Sequence, residues 1–488
     1  MSAPRRFEQR CRFEVHCRRE KHCRFETRRR FGAHWLFEKH EPSLPGSDAF
    51  GEPRLSWAFV IESARGAAAN WAGNLTYGAR EVLTPRTLDE ARELVASAGR
   101  IKALGSRHSF NDVADSPGGV QLDLSGMSGV PSLDTRAATV TVGGSVRYGD
   151  LVAQLDEAGF ALENLASLPH ITVGGSVATG THGSGERHPG LAAAVSAVDL
   201  LTADGSLLTF TRGDADFAGV VVGVGALGVV TRLTLDLVPS FTVRQDVFDN
   251  LPWSAAVEHF DEIQAAGYSV SLFTNWARDV VDQVWLKNRT SAEVPASPAA
   301  AVPPSLFGAA PADGPRHPAH AAGVPAGNTT AQLGAPGPWY DRLPHFRLGF
   351  TPSVGAELQT EYFVPRAAAP AAFEALRGIG HLIAPLLLVS EIRTIASDDL
   401  WLSPSSGRDS VAIHFTWLPR QPEVETLLPT IESTLAPFAP RPHWGKLFHG
   451  EALDLAYPRS ADFRSLATRL DPAGKFRNPF LDRHVFGS

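Results

Sequence analysis

Apolar residues recur along this chain with two different periods. Over 87–98 they follow helical spacing, with Thr87 placed as N-cap and Glu90 three residues later as its capping-box partner. A second helix is predicted over 147–158. Around these, short β-branched runs over 101–104, 119–124, 138–142, 197–202 and 207–210 predict strands, and 218–222 is strand-like. Farther along, strands are predicted over 347–351, 357–364, 386–395 and 411–418, and helices over 368–381 and 424–438. Strands and helices mix without a regular βαβ rhythm, which predicts an α+β fold whose later part is an antiparallel sheet backed by helices. Between the two parts, residues 294–338 hold ten prolines and no apolar period, predicting an irregular insertion with no catalytic role. The longest apolar run, Phe217 to Val230, is broken by four glycines and falls short of the ~18 residues that a membrane span needs, so it predicts a protein interior.

The first forty residues follow neither period. From Arg5 to His40 a hexad repeats, with Arg at 6, 12, 18, 24 and 30 and Phe at 7, 13, 25, 31 and 37. Six matches no helical repeat, so these phenylalanines would wind around a helix instead of forming a stripe. Residues 1–66 are read as a low-complexity tail, expected to be disordered because charge is high and aliphatic content low. Two functional alternatives are a metal site built from Cys11, His16, Cys17, His22 and Cys23, and a basic arm for polyanions. Of the 45 basic residues, 39 are Arg, as in GC-rich coding sequence, and an over-extended translation start is a further reading.

Charge sharpens that division. Residues 1–40 carry twelve Lys/Arg against five Glu, while the whole chain has a formal charge of −7, so the remainder is acidic and offers no broad footprint for nucleic acid. All three cysteines lie in the tail, so no disulfide forms within the rest. No metal site is read there either. No signal peptide is read, because the apolar piece Leu55–Ile61 is too short. A cytoplasmic monomer is expected.

Three glycine-rich segments invite a phosphate-bearing ligand. Gly223-Val224-Gly225-Ala226-Leu227-Gly228 fits GxGxxG, but 229–237 alternates like a strand where a dinucleotide fingerprint requires a helix, so a glycine-dense turn against the core is expected. The strand at 101–104 runs into Gly105-Ser106-Arg107-His108-Ser109, whose successive amides can face one concavity. Residues 169–185, PHITVGGSVATGTHGSG, offer a second wall of small and hydroxyl side chains.

With GSRHSF at 105–110, SLPHITVGGSVATGTHGSG at 167–185, GALGVVTRLTLDLVP at 225–239, EIRT at 391–394, HFTW at 414–417, HWGK at 443–446 and DPAGKFRNPF at 471–480, the chain resembles the alditol oxidases. These are FAD flavoproteins of the vanillyl-alcohol-oxidase type, related to the sugar-1,4-lactone oxidases. The resemblance covers the chain from about Asn70 onward and is loose across 294–338. It implies a two-domain fold: an FAD-binding domain over 68–240, a substrate domain over 241–440, and a segment 441–488 completing the FAD domain. It also implies that His108 carries FAD covalently. The cofactor-binding set it implies is Gly105, Ser106, Arg107, His108, Ser109, Ser167, Thr172, Gly175, Thr179, Gly180, Thr181, His182, Val230 and His443. Arg107 departs from the family, where a smaller residue also occurs.

Flavin oxidation of an alcohol requires a proton acceptor and a cation. Glu391 and Arg393 lie two apart on a predicted strand and share a face, as do His414 and Thr416. A structural ion pair is the alternative for Glu391 and Arg393, and an ordinary surface lysine for Lys446, one of only six lysines. By resemblance, Ser167, Glu391, Arg393, Thr416 and Lys446 bind the hydroxyls of a linear polyol, and Arg393, His414 and Lys446 are catalytic, with the base left open between Arg393 and His414. The expected reaction takes xylitol or sorbitol and oxygen to the aldose and hydrogen peroxide. The alternatives are a sugar-1,4-lactone oxidase or dehydrogenase, or a flavin- or polyanion-binding module without turnover.

Overall fold

The computed structural model describes residues 69–290, 305–450 and 456–487. The hexad repeat, its metal and polyanion readings and the start-site reading all lie outside these residues.

Near its beginning the described chain forms a small parallel sheet, β1 (Glu81–Leu83), β2 (Ile101–Leu104) and β3 (Val120–Asp123), in the order β1-β3-β2. The helix Leu88–Ser97 connects β1 to β2. Its cap is the one expected, with the Glu90 N–H donating to Thr87 Oγ1 at 3.2 Å. The reciprocal bond is displaced by one residue, since Glu90 Oε2 accepts from the Arg86 N–H at 2.8 Å. Five antiparallel strands follow: β4 (Ser132–Asp134), β5 (Thr139–Gly143), β6 (Val195–Leu201), β7 (Leu207–Thr211) and β8 (Val229–Asp236), ordered β4-β5-β8-β6-β7.

The strand-like run at 218–222 is helical instead, over Phe217–Val221. All of its residues are buried or half-buried, and a fully apolar run shows no period by which a helix and a strand can be told apart. The glycine-dense turn after it leads directly into β8. At Gly228, φ is +157°, and a Cβ would stand 2.5 Å from the Leu201 carbonyl oxygen, so only glycine passes there.

The large antiparallel sheet comprises β9 (Thr242–Pro252), β10 (Ser269–Thr274), β11 (Val280–Thr290), β12 (Leu358–Pro365), β13 (Leu387–Ile395) and β14 (Ser410–Trp417), ordered β9-β11-β10-β13-β14-β12, with two-residue strands at its margins. One face is apolar. Leu272, Ile392, Ile413, Phe415, Trp417 and Tyr362 pack there with Phe373 and Leu376 of the helix Ala369–Gly378 and Val424, Leu428 and Ile431 of the helix Gln421–Leu435. The other face is polar, and it forms the site. The strand predicted at 347–351 is absent, because 347–351 lies in the irregular crossing between the insertion and β12.

The insertion is not a free loop over its described part. Arg316 pairs with Asp249 of β9 at 2.8 Å, and Gln283 of β11 donates to the carbonyls of His317 and Pro318 at 3.0 and 3.3 Å. Among the described residues no helix is long and apolar enough to cross a membrane.

Candidate active site

One long cavity runs from the small parallel sheet to the polar face of the large sheet. It encloses about 1940 Å³ between its walls, counting the part open to solvent. Residues 105–110 form one wall and residues 174–182 the opposing one. The turn at 223–228 with Val230 closes a third side. That turn fails as a dinucleotide fingerprint yet lines this cavity, a role the sequence reading did not assign to it.

The two glycine-rich walls interlock through Thr172. A Cβ on Gly105 would come within 2.6 Å of Thr172 Oγ1, and one on Gly175 within 2.8 Å. Gly105→Ala is therefore expected to push the walls apart and to at least halve the 450 nm to 280 nm absorbance ratio of the purified protein; an unchanged ratio would show that the walls tolerate the methyl group. Arg107 adopts φ +63°, the left-handed region that disfavours side chains. Beside it, His108 stacks on Trp71 at 5.1 Å and approaches the Ser106 carbonyl through Nδ1 at 3.0 Å. Burial pulls its pKa down to about 4.

The reacting end is built by strand register. Glu361 of β12 lies opposite His414 of β14, and His414 lies opposite Glu391 of β13, so three titratable side chains form one row across three strands. Thr416 and Arg393 flank that row two residues away along their strands. Lys446 closes it from the C-terminal segment, with Nζ 2.8 Å from Glu361 Oε2 and 2.7 Å from His414 Nδ1. Arg393 spans the row, at 3.2 Å from Glu361 Oε1, 3.5 Å from Glu391 Oε1 and 3.1 Å from Ser167 Oγ. His182 Nε2 lies 3.3 Å from Glu361 Oε1.

These contacts assign protons. Burial opposes charge on Glu361, but Lys446, His182 and His414 outweigh it and hold its carboxyl well below the ordinary range. Glu391 is likewise held low against burial, by Arg393 and His345. An ammonium only donates, so His414 receives the Lys446 hydrogen bond at Nδ1 and donates from Nε2 to Thr416 Oγ1 at 3.0 Å. Burial, reinforced by Lys446, drives the His414 pKa down to about 3 and keeps the ring neutral. Burial also lowers Lys446 from its ordinary 10.5, with Glu361 opposing.

Of the residues singled out from sequence, Gly105, Ser106, Arg107, His108, Ser109, Ser167, Gly175, Thr179, Thr181, His182, Val230, Glu391, Arg393, His414, Thr416, His443 and Lys446 all line the cavity. Two do not. Thr172 stands behind the walls it joins, and Gly180 makes a left-handed turn (φ +67°) against Pro404. His443 is buried and accepts from the Gly445 N–H at Nδ1, 3.0 Å away.

The same chemistry recurs in known proteins. Residues 79–211 match the family described as FAD binding domain, and residues 356–484 the one described as D-arabinono-1,4-lactone oxidase. The alditol oxidase of Streptomyces sp. (strain IKD472 / FERM P-14339) is 51% identical over 419 residues, 85% of this chain and 98% of its own. This chain belongs to the alditol oxidase family. An L-gulono-1,4-lactone dehydrogenase of Mycobacterium tuberculosis is more distant, at 28% identity over 86% of this chain and 99% of its own. Among solved structures, cholesterol oxidase from B. sterolicum aligns with a TM-score of 0.67 at 16% identity, over 85% of this chain and 96% of that one, a likeness of fold alone.

For a member of the alditol oxidases, the residues present fit FAD. His108 Nε2 is buried without a hydrogen-bond partner, and a Cβ on Gly105 or Gly175 would meet the Thr172 hydroxyl. The sequence reading missed Glu361, the hub of the charge network. Its signal was available: Glu357, Gln359 and Glu361 alternate with Leu358, Thr360 and Tyr362, the same period of two that singled out Glu391 and Arg393. His345, whose Nε2 is 2.7 Å from Glu391 Oε1, gave no local signal, because it sits in irregular chain beyond the insertion.

Proposed function

We propose that this chain oxidises the terminal hydroxyl of open-chain polyols such as xylitol and sorbitol to the aldose, with oxygen reduced to hydrogen peroxide. The observation that carries the reading is the Glu361, His414 and Glu391 row, with Arg393, Thr416, Ser167 and Lys446 around it, facing one cavity. Many donors and acceptors along one face suit a substrate with a hydroxyl on every carbon, because each unmatched buried group costs ~1–3 kcal/mol.

FAD, when bound, would supply a two-electron acceptor for the hydride and a route for those electrons to oxygen. Residues within 68–240 and 441–488 would hold it, His108 through a covalent link, and residues within 241–440 would supply the substrate face. Arg393 is a guanidinium between two carboxylates and offers only N–H donors, so His414 is the base, through Nδ1, where a substrate hydroxyl would take the place of the Lys446 hydrogen bond. Arg393 and Lys446 stabilise the charge that develops on the substrate oxygen. Ala166, small and on the cavity wall, gives oxygen room to approach. The enzyme acts as a cytoplasmic monomer.

The electrostatics fix the expected pH profile. His414 stays neutral down to a pKa of about 3 and both carboxylates titrate low, so kcat for xylitol is expected to stay flat between about pH 5 and 8, a range where an unperturbed histidine would titrate. It then falls as Lys446 loses its proton below the ordinary 10.5. A fall in kcat centred near pH 6.5 would remove His414 from its role.

A second reading, oxidation of a sugar-1,4-lactone, is favoured by the match over 356–484. Steady-state turnover of xylitol and sorbitol against an aldonolactone separates the two. Yellow protein that neither a polyol nor an aldonolactone bleaches would leave only a flavin-binding module.

A further inference from the structure

We propose that Lys287 and His345 are positioning residues that present one chosen oxygen of the Glu391 carboxylate to the substrate. The inference deepens the polyol-oxidase reading and rests on it.

Lys287 comes from β11 and is buried. Its Nζ meets three acceptors: the Leu343 carbonyl at 2.5 Å, the Pro344 carbonyl at 3.3 Å and His345 Nδ1 at 3.0 Å. Three acceptors are the full capacity of an ammonium. The other side of the His345 ring decides the tautomer. Nε2 lies 2.7 Å from Glu391 Oε1, and an ionised carboxylate only accepts, so Nε2 carries the hydrogen. Nδ1 then has only a lone pair, and the third hydrogen of Lys287 has to point at it. Neither a neutral lysine nor the other tautomer satisfies all four contacts.

The ring is also held in place. Phe273 and Trp285 meet it edge-on at 5.7 and 5.0 Å. The backbone N–H groups of His345 and Phe346 both donate to the Ser167 carbonyl, at 2.8 and 3.1 Å, and Ser167 Oγ accepts from Arg393. The titratable neighbours that act on His345 are Lys287, Glu391 and Arg393. His345 Nε2 and Arg393 Nε both address Oε1 of Glu391. Oε2 is thereby the oxygen turned to a substrate hydroxyl in the cavity that Glu391 lines. Without the Lys287 ammonium, His345 can present either nitrogen, and Glu391 loses its fixed orientation.

Burial draws Lys287 down to about 7, with Glu391 opposing, so the test belongs at pH 6, where the ammonium is intact. Holoenzyme variants Lys287→Met, His345→Leu and His345→Gln are compared with wild type for xylitol oxidation. Lys287→Met and His345→Leu are expected to raise KM about tenfold while kcat stays within about threefold, the signature of lost substrate binding. His345→Gln places an amide N–H where Nε2–H stands, and is expected to bring KM back to within about threefold of wild type. Should Lys287→Met fail to fold, the Leu and Gln pair decides alone. KM unchanged in His345→Leu, or Gln and Leu equally impaired in both KM and kcat, overturns the proposal. A wild type that oxidises no polyol overturns the reading beneath it, and the proposal with it.

Discussion

Replacing Glu361 with leucine is expected to cost ~3–5 kcal/mol of folding stability, the loss that follows when one partner of a buried ion pair is removed, and to lower kcat for xylitol by more than about a hundredfold. Glu361 is fully buried and its two oxygens serve Lys446 and Arg393, with His182 and His414 also close. Leucine leaves two buried cations facing each other across an apolar gap. Lys446 is then driven toward deprotonation and Arg393 toward displacement, and His414 loses the ammonium that fixes its tautomer. Glu361→Gln retains the shape and one acceptor, and is expected to recover part of the stability but little of the rate. Urea denaturation monitored by tryptophan fluorescence, together with single-turnover flavin reduction, measures the two effects separately. Wild-type stability in Glu361→Leu would mean that Lys446 and Arg393 find other partners, and the charge network would lose its hub.

His108→Ala is expected to abolish the yellow colour that remains in the pellet after acid precipitation. Covalent attachment needs a nucleophilic ring nitrogen, neutral and free of competing bonds. Burial holds His108 near 4, so the imidazole is neutral at physiological pH; Nε2 has no hydrogen-bond partner, and Trp71 fixes the ring plane. Wild-type pellet absorbing near 450 nm, with the colour moved to the supernatant in His108→Ala, assigns the link. A wild-type pellet without colour would sink the covalent assignment while leaving dissociable FAD in place. Because stacking with Trp71 remains only for an intact ring, the variant is also expected to lose FAD on extended dialysis.

Much of this was legible in the chain. Glu391 with Arg393 and His414 with Thr416 could be read as shared faces because a strand alternates its side chains with a period of two, a local property. The helix over 88–97 was legible from its cap. The run at 218–222 was not, because it is buried on all sides and has no polar face to mark a period. Glu361 was readable by the same alternation, but one carboxylate among Glu357, Gln359 and Glu361 does not announce which of them meets a lysine from 85 residues away.

The amino-acid sequence alone determined many of the elements, though not the helix at 217–221 or the strands over 242–290, together with the polar faces of β13 and β14, the two glycine walls and the kind of chemistry that Glu, Arg, His and Lys can perform together. Tertiary structure decided which of them meet. The Glu361, His414 and Glu391 row depends on the register between three strands, and a shift of one residue would turn every one of those side chains to the helices. The positions of Lys446 and His345 depend on where irregular chain is pinned, by the Gly445 carbonyl accepting from Phe110 and by Lys287 holding Leu343 and Pro344. Such contacts join residues far apart in the chain, and no local pattern records them, because their energy exists only once the sheet has formed.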